Sequence, residues 1–246
     1  MLTIPLNTLP LIKKGDNLGK MIIRALMLKD MSLEDGDIIA VTEKIVANAE
    51  NRLVPLKSVS PSEKALELAG ITGKDPRIVE LILRESDEIL RVGDNFIIVV
   101  TKHGFVCANA GIDQSNIEPG KVKLLPINPD KSAAKIRSVL EKKYGVRLGV
   151  IVVDSLGRPF RRGSVGVALG CSGVRALLDM RGEKDLYGKE LMVTRVAIAD
   201  CLASSVNILM GEADEKVPVV IIKGLNYLGN GRASDLLRTK TEDIFR

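Results

Sequence analysis

A chain of 246 residues, 46% of them hydrophobic, carries enough apolar side chains for one large domain or two small interlocked ones, which excludes disorder as its general state. With no Trp, three Tyr and four Phe its core must be aliphatic, and a single-strand nucleic-acid platform would have few rings for stacking. Thirty-six Lys and Arg against 31 Asp and Glu leave a net charge of +5, a basic excess that suits nucleotides and phosphorylated metabolites better than the coating of a polyanion.

In chain order, the opening MLTIPLNTLPLIKKGD lacks a basic segment followed by a long apolar run, so neither a secretory leader nor a membrane span is expected. Leu18, Met21, Ile22, Ala25 and Leu26 then follow the spacing of one buried helical face, with Asp16 as the candidate cap. DIIAVT (37–42) reads as a buried strand, and a short Pro-containing break follows near 55–61. Pro76 opens a second helix expected to run to about Leu90, and FIIVVT (96–101) is the next strand. His103, in T-K-H-G-F, falls in a polar break before FVCANAG that reads as a hairpin turn. After the break at 125–129 come a helix over 130–144, a strand at GVIVVD (149–154), a helix over 193–210 and a strand at VPVVII (217–222). This alternation is that of an α/β chain. It contains no repeat or linker, and its patterning leaves one mixed sheet and two subdomains equally open.

His103 is the single histidine, so multi-histidine zinc sites are excluded, and a Ser-His-Asp triad would have to use it. Cys107, Cys171 and Cys201 are odd in number and widely spaced, which suggests neither a disulfide framework nor a zinc knuckle and points to a reducing cytosol. Chemistry concentrates instead in three polar clusters at strand ends, where α/β folds place ligands. These are C-A-N-A-G-I-D-Q-S-N (107–116), V-V-D-S-L-G-R-P-F-R-R-G (152–163) and M-G-E-A-D-E (210–215). Asp113, Asp154 and Glu212, with the Ser155 hydroxyl, supply the hard oxygen atoms that Mg²⁺ or Mn²⁺ takes, and Arg158, Arg161 and Arg162 supply planar forks for phosphate or carboxylate. Taken singly, an Asp after a strand is more often a turn or cap residue, and R-P-F-R-R a solvated face. Three clusters of complementary chemistry in one chain favour a phosphate-handling centre. It is of neither Walker nor Rossmann type: G-E-K-D-L-Y-G-K-E (182–190) has one residue too many between its glycines, and G-N-G-R-A-S (229–234) has Ser where the third glycine or alanine belongs.

In order, L-P-L-I, G-D-I-I-A-V-T-E-K-I-V, N-A-G-I-D-Q-S-N, D-S-L-G-R-P-F-R-R-G and L-M-G-E resemble the coenzyme F420-0:L-glutamate ligase (F420:γ-glutamyl ligase) family over nearly the whole chain, whose length is that of the free-standing archaeal enzymes. The resemblance implies GTP-dependent addition of L-glutamate to the carboxylate of coenzyme F420-0, then of a second, γ-linked glutamate, with release of GDP and phosphate. It implies an acyl-phosphate route, a need for Mg²⁺ or Mn²⁺ helped by K⁺, and a cytoplasmic homodimer with an unusual α/β fold of mixed sheets in two closely joined subdomains, spanning 1–246 as one catalytic unit. By position it assigns Asp113 and Asp154 to a first metal and Ser155 and Glu212 to a second, with Ser155 in place of a commoner Thr. Asp113, Asp154 and Arg158 become the catalytic set. Nucleotide contacts map to Leu9, Pro10, Leu11 and Ile12, to Glu43 and Lys44, to Asn116, and to Ile208, Leu209, Met210, Gly211, Glu212, Ala213, Asp214 and Glu215. Asn48, in A-N-A-E-N-R (47–52), stands where the family often has a nucleotide-binding lysine, which removes a charged phosphate contact. Two rival readings are a related ligase with another acceptor and a basic nucleic-acid-binding protein, the latter disfavoured by the scarce aromatics and the carboxylate clusters.

Overall fold

The computed structural model describes residues 1–243. In chain order the elements are β1 (Leu2–Leu6), α1 (Leu18–Leu28), β2 (Ile38–Thr42), α2 (Glu43–Ala49), β3 (Leu53–Pro55), α3 (Glu63–Thr72), α4 (Pro76–Arg84), β4 (Ser86–Gly93), β5 (Phe96–Thr101) and β6 (Val106–Ala108). They continue with β7 (Lys121–Lys123), α5 (Pro129–Tyr144), β8 (Gly149–Gly157), β9 (Ser164–Ser172), β10 (Leu177–Asp179), β11 (Arg195–Ala197), α6 (Ile198–Met210) and β12 (Val219–Lys223). The fold is α/β with mixed sheets, as the alternating pattern requires.

A five-stranded sheet in the order β1-β12-β2-β8-β9 forms the centre. Its β2–β8 pair is parallel and its other pairs are antiparallel. Helices cover both faces, so successive residues of a strand bury on opposite sides, which is why these strands read as unbroken apolar runs. Ile39 and Val41 join Val150, Val152, Val219 and Ile221 beneath Leu18, Ile22 and Leu26 of α1 and Ile136 and Leu140 of α5. Ile38 and Ala40 turn the other way, to Ile151, Val153, Val220 and Ile222 and to Leu202, Val206 and Met210 of α6. Each such Val, Leu or Ile contributes about 1.5–3 kcal/mol by its burial. At Gly166 of β9 the helix lies so near that an added Cβ would stand 2.4 Å from the Ala203 carbonyl oxygen.

The stretch between α2 and α5 builds cores of its own. The antiparallel β4-β5-β6 sheet packs Ile97 and Val99 against Ala65 and Leu68 of α3 and Val79 and Ile82 of α4. The β3–β7 pair closes a second cluster around Leu56, Leu81, Val122 and Leu124.

Several boundaries differ from those read in the sequence: the strand read at 149–154 runs on to Gly157 in its pairing with β9, and the one read at 217–222 spans Val219–Lys223. The cap of α1 is Asn17, whose side-chain oxygen accepts from the Lys20 N–H at 3.0 Å, because the Asp16 carboxylate is already taken by the Lys13 N–H at 2.7 Å. The helix opened by Pro76 ends at Arg84 rather than near Leu90, since 86–93 pairs antiparallel with β5 through a tight turn in which Asn95 holds a φ of 63°. The last long helix begins at Ile198 rather than Val193, because 195–197 pairs with β10. His103 does sit in the β5–β6 turn, which the Gly104 N–H closes onto the Thr101 carbonyl at 2.8 Å. All three cysteines are free, and burial pushes the Cys107 thiol up to about 12. Among the described residues no helix is long and apolar enough to cross a membrane.

Candidate active site

The parallel register of the central sheet places the site. Thr42 lies opposite Val153, so Glu43, the first residue after β2, and Asp154, where β8 runs on past the end of β2, come together at the same carboxyl edge. That edge is where open α/β sheets bind ligands. Because β12 runs antiparallel to β2, residues 211–218 enter at this edge too, and the Thr42 N–H donates to the Pro218 carbonyl at 2.9 Å. The loop at 109–116 arrives from the other side. There Asn109, Ala110 and Asn116 take positive φ values of 53–54°, and Asp113 and Lys123 exchange backbone hydrogen bonds.

The three clusters read in the sequence are thereby joined. The Asn116 amide donates to the Ala213 carbonyl at 2.7 Å, tying 107–116 to 210–215. The Ser155 hydroxyl donates to a Glu212 oxygen at 3.0 Å, tying 152–163 to the same segment, and Asn207 of α6 steadies the other Glu212 oxygen at 3.1 Å. Gly211 makes this tight reversal with φ 71°, and a Cβ there would stand 2.0 Å from Glu215 Cδ. Lys44 Nζ reaches Asp113 at 2.9 Å and the Ser115 hydroxyl and carbonyl at 2.9 and 3.0 Å. Behind them the buried Lys123 ammonium pairs with Glu43, whose second oxygen, Oε2, is buried without a partner.

The carboxylates are tuned apart. Burial by itself would raise Asp113, but hydrogen bonds from the Ser115 hydroxyl and N–H and the Lys44 ammonium outweigh it and hold the group at about 2, so it stays ionised. Asp154 is raised, chiefly by burial and further by Asp113, with Lys123 and the Ser155 N–H opposing. Glu43 is raised by burial, against the pull of Lys123, and Asp154 adds to the rise. Three carboxylates, Glu43, Asp113 and Asp154, thus face two lysines across this edge. Among the described residues no three Asp, Glu, Cys or His side chains gather closely enough to enclose a metal ion by themselves.

Other residues assigned by resemblance lie around this centre. Arg158, Arg161 and Arg162 ride the β8–β9 loop, where Arg158 donates to the Gly163 carbonyl at 3.2 Å, and among the described residues none of the three pairs with the carboxylates. Leu9 to Ile12 form the coil after β1, with Ile12 buried and Leu11 exposed. Ile208 is exposed, Leu209 half-buried and Met210 buried on the last turns of α6, while Glu212 to Glu215 are exposed. Asn48 borders a cleft of about 440 Å³ with Ile12, Lys13, Lys14, Asn51 and Lys121.

Sequence reasoning passed over Ser115, Lys123 and Asn207. Ser115 carried a signal, an Asp-x-Ser spacing that forms an Asx-type turn. Lys123 carried a fainter one, a lysine inside the otherwise apolar run V-K-L-L. Asn207 carried none.

The model of the family described as F420-0:Gamma-glutamyl ligase matches residues 7–224. The chain is 54% identical to the coenzyme F420:L-glutamate ligase of Methanocaldococcus jannaschii, across 97% of this chain and 94% of that one. It is 49% identical to the protein so named in Methanothermobacter thermautotrophicus, across 97% and 96%. To that of Archaeoglobus fulgidus it is 44% identical, across 98% and 95%. With likeness of this depth running nearly end to end, the chain belongs to the F420-0:γ-glutamyl ligase family.

Proposed function

We propose that this chain is a GTP-dependent ligase that joins L-glutamate to the carboxylate of coenzyme F420-0 and then adds a second, γ-linked glutamate. The observation that carries this reading is the meeting of Asp113, Asp154, Ser155 and Glu212 with Lys44 and Lys123 at the carboxyl edge of β2 and β8, with no Cys-His or Ser-His pair beside them among the described residues. A carboxylate is a poor acyl donor until one of its oxygens becomes a leaving group. In the proposed reaction an acceptor carboxylate oxygen attacks the γ-phosphorus of GTP, the bond to the bridging oxygen breaks and GDP leaves. The glutamate nitrogen then attacks the acyl carbon, the bond to the phosphate oxygen breaks, and phosphate leaves as the amine proton passes to solvent. Phosphoryl transfer asks a protein for alignment and charge rather than covalent help, which this donor set supplies.

The same residues fit a divalent ion. All four ligands are hard oxygen donors. Burial raises Asp154 and Glu43, so added positive charge would stabilise their ionised forms. Asp113 and Asp154 would hold one Mg²⁺ or Mn²⁺, and Ser155 and Glu212 a second. When bound, such ions neutralise the oxygens of the transferred phosphoryl group. Lys44 keeps Asp113 ionised and in place, the Ser155 N–H orients Asp154 at 2.8 Å, and Arg158 offers a fork to phosphate oxygens from the β8–β9 loop. Potassium belongs to the same reading without an assigned residue.

Incubating the protein with F420-0, GTP, L-glutamate and Mg²⁺ or Mn²⁺, and reading product masses, tests the proposal. Products heavier by one and two glutamyl units are expected. No product with either metal refutes it, and GDP release only when a different acceptor is supplied turns it toward a related amide ligase. Homodimerisation goes with this reading: Leu186 and Tyr187 stand fully exposed at the tip of the arm between β10 and β11, and Met192 and Val193 are exposed along it. So does a cytosolic location, in keeping with three free cysteines.

A further inference from the structure

The β8–β9 hairpin runs out past the carboxyl edge of the central sheet. Thr42, the last residue of β2, lies opposite Val153, while β8 continues to Gly157, which pairs with Ser164. At about 3.3 Å per residue the tip of the hairpin, residues 158–163, begins about 10 Å beyond Asp154. On that tip stands Phe160, 90% exposed. The other phenylalanines among the described residues serve the fold: Phe105 is buried, and the Phe96 ring lies over Gly93, where an added Cβ would collide with it. Phe160 also holds a φ of 63°, a left-handed conformation that a bulky side chain rarely takes and that glycine would take more easily. A ring kept in solvent at a turn position that disfavours it adds nothing to the core, and backbone outliers of this kind gather where ligands are held. Arg161 and Arg162 follow it, both exposed and, among the described residues, without an ion pair, and Arg158 before it donates to the Gly163 carbonyl at 3.2 Å.

We propose that Phe160 is the ring-binding residue of the acceptor subsite: its face stacks on a planar fused ring, while Arg161 and Arg162 meet the anionic chain that joins this ring to the reacting carboxylate. Naming the acceptor rests on the function proposed above; binding of a planar, anionic ring compound at the hairpin tip does not. An acceptor activated at Asp113 and Asp154 has its carboxylate there, so the rest of the molecule has to leave the sheet edge, and the hairpin is the segment that leaves it from Asp154 itself. F420-0 is a deazaflavin, a flat fused ring tied by a phosphate-bearing chain to the carboxylate that reacts. Its ring and carboxylate stand at opposite ends, as Phe160 and Asp154 do at a separation of about 10 Å or more along β8. Guanidinium forks take phosphate oxygens in pairs and lie flat against aromatic faces, so both parts of such a ligand find a matching group on one loop. The guanine ring of GTP is the competing occupant, and separate titration of the two substrates tells them apart.

Fluorescence titration of F420-0 into the intact protein with Mg²⁺, without GTP or glutamate so that nothing turns over, measures the contact. Phe160→Ala should raise the Kd about tenfold, the loss expected of one stacked ring. Phe160→Tyr should bind as the wild type does, and Phe160→Leu should fall between, since leucine keeps apolar surface without a ring face. Arg161→Gln together with Arg162→Gln should weaken binding about threefold at low salt, and the gap should narrow as salt rises. Circular dichroism and light scattering accompany each variant, because side chains this exposed should leave fold and mass alone. In turnover the Phe160→Ala KM for F420-0 should rise about tenfold with kcat and the GTP KM little changed, the mark of an interaction made equally in ground and transition states. Equal F420-0 affinity in wild type and Phe160→Ala, no F420-0 binding by the wild type, Phe160→Leu equal to the wild type, or a loss that falls on GTP instead overturns the proposal. So does a lower mass for Phe160→Ala, which would make the ring a contact between copies of this chain. Product formed from F420-0 with an unmoved KM in Phe160→Ala overturns the subsite and leaves the ligase standing, whereas F420-0 bound through Phe160 without any glutamyl product refutes the ligase and leaves the subsite standing.

Discussion

Replacing Lys123 by Met tests what holds the site together. The Lys123 and Glu43 side chains are 1% and 4% exposed, so neither can turn to water when its partner is removed. Breaking a buried pair by deleting one member costs about 3–5 kcal/mol, because the other charge is left uncompensated. Two features set the figure here near the lower end, about 3 kcal/mol: burial already raises Glu43, so it will take up a proton rather than stay charged, and its Oε2 already lacks a partner. For a chain of this size that loss lowers Tm by about 6–12 °C. The assay is thermal and urea unfolding of Lys123→Met, Glu43→Gln and the double variant. With both charges gone the double variant should lie within about 1.5 kcal/mol of the wild type, so the two substitutions should couple by at least about 1.5 kcal/mol. If Lys123→Met costs under about 1 kcal/mol, or if the two losses add to within about 0.5 kcal/mol, the pair is not the buried strut described here.

Other outcomes follow from single contacts. Asp113→Asn and Asp154→Asn should each abolish ligation with the circular dichroism spectrum unchanged, and unaltered turnover in either removes that residue from the centre. Glu212→Gln should cut turnover and be partly rescued by more Mg²⁺ or Mn²⁺, whereas a loss indifferent to metal concentration would confine Glu212 to its hydrogen bonds with Ser155 and Asn207. Gly166→Ala should destabilise the fold by about 1–3 kcal/mol in urea, since the methyl would meet the Ala203 backbone at 2.4 Å, and an unchanged midpoint would mean that α6 gives way freely. In light scattering the wild type should have the mass of the proposed dimer and the double variant Leu186→Ser, Tyr187→Ser that of a monomer; equal masses would show that the arm is not a dimer contact.

The sequence was most legible where burial was complete. Residues 37–42, 96–101, 149–154 and 217–222 all overlap observed strands, because a strand covered on both faces has no polar side to interrupt it. The helix over 130–144 likewise lies within one residue of Pro129–Tyr144. Short pairings against distant partners were not legible: β4 and β11 look helical in isolation, and only β5 and β10 make them strands. The sheet order was invisible, since nothing local tells β2 to lie between β12 and β8. At the site, Asp154, Ser155 and Glu212 could be picked out because they end apolar runs or flank glycine, and the structure does bring Ser155 to Glu212. Lys123 was hidden by its position inside an apolar run, although its charge acts on both Glu43 and Asp154.

That hidden lysine bears on how the centre works. Asp113 is ionised through partners of its own, Ser115 and Lys44, which hold it at about 2. Asp154 is the buried acid between two other carboxylates, and its only hydrogen bond among the described residues comes from the Ser155 N–H. Its charge therefore depends on neighbouring cations, of which Lys123 acts most strongly. The same ammonium is bound to Glu43, so whatever draws it toward one acid withdraws it from the other. A site arranged in this way has one acid fixed as an anion and one whose ionisation follows the local positive charge. That division would suit the proposed ligase, because the second acid would gain most from an arriving cation while the first would already offer it an anionic oxygen.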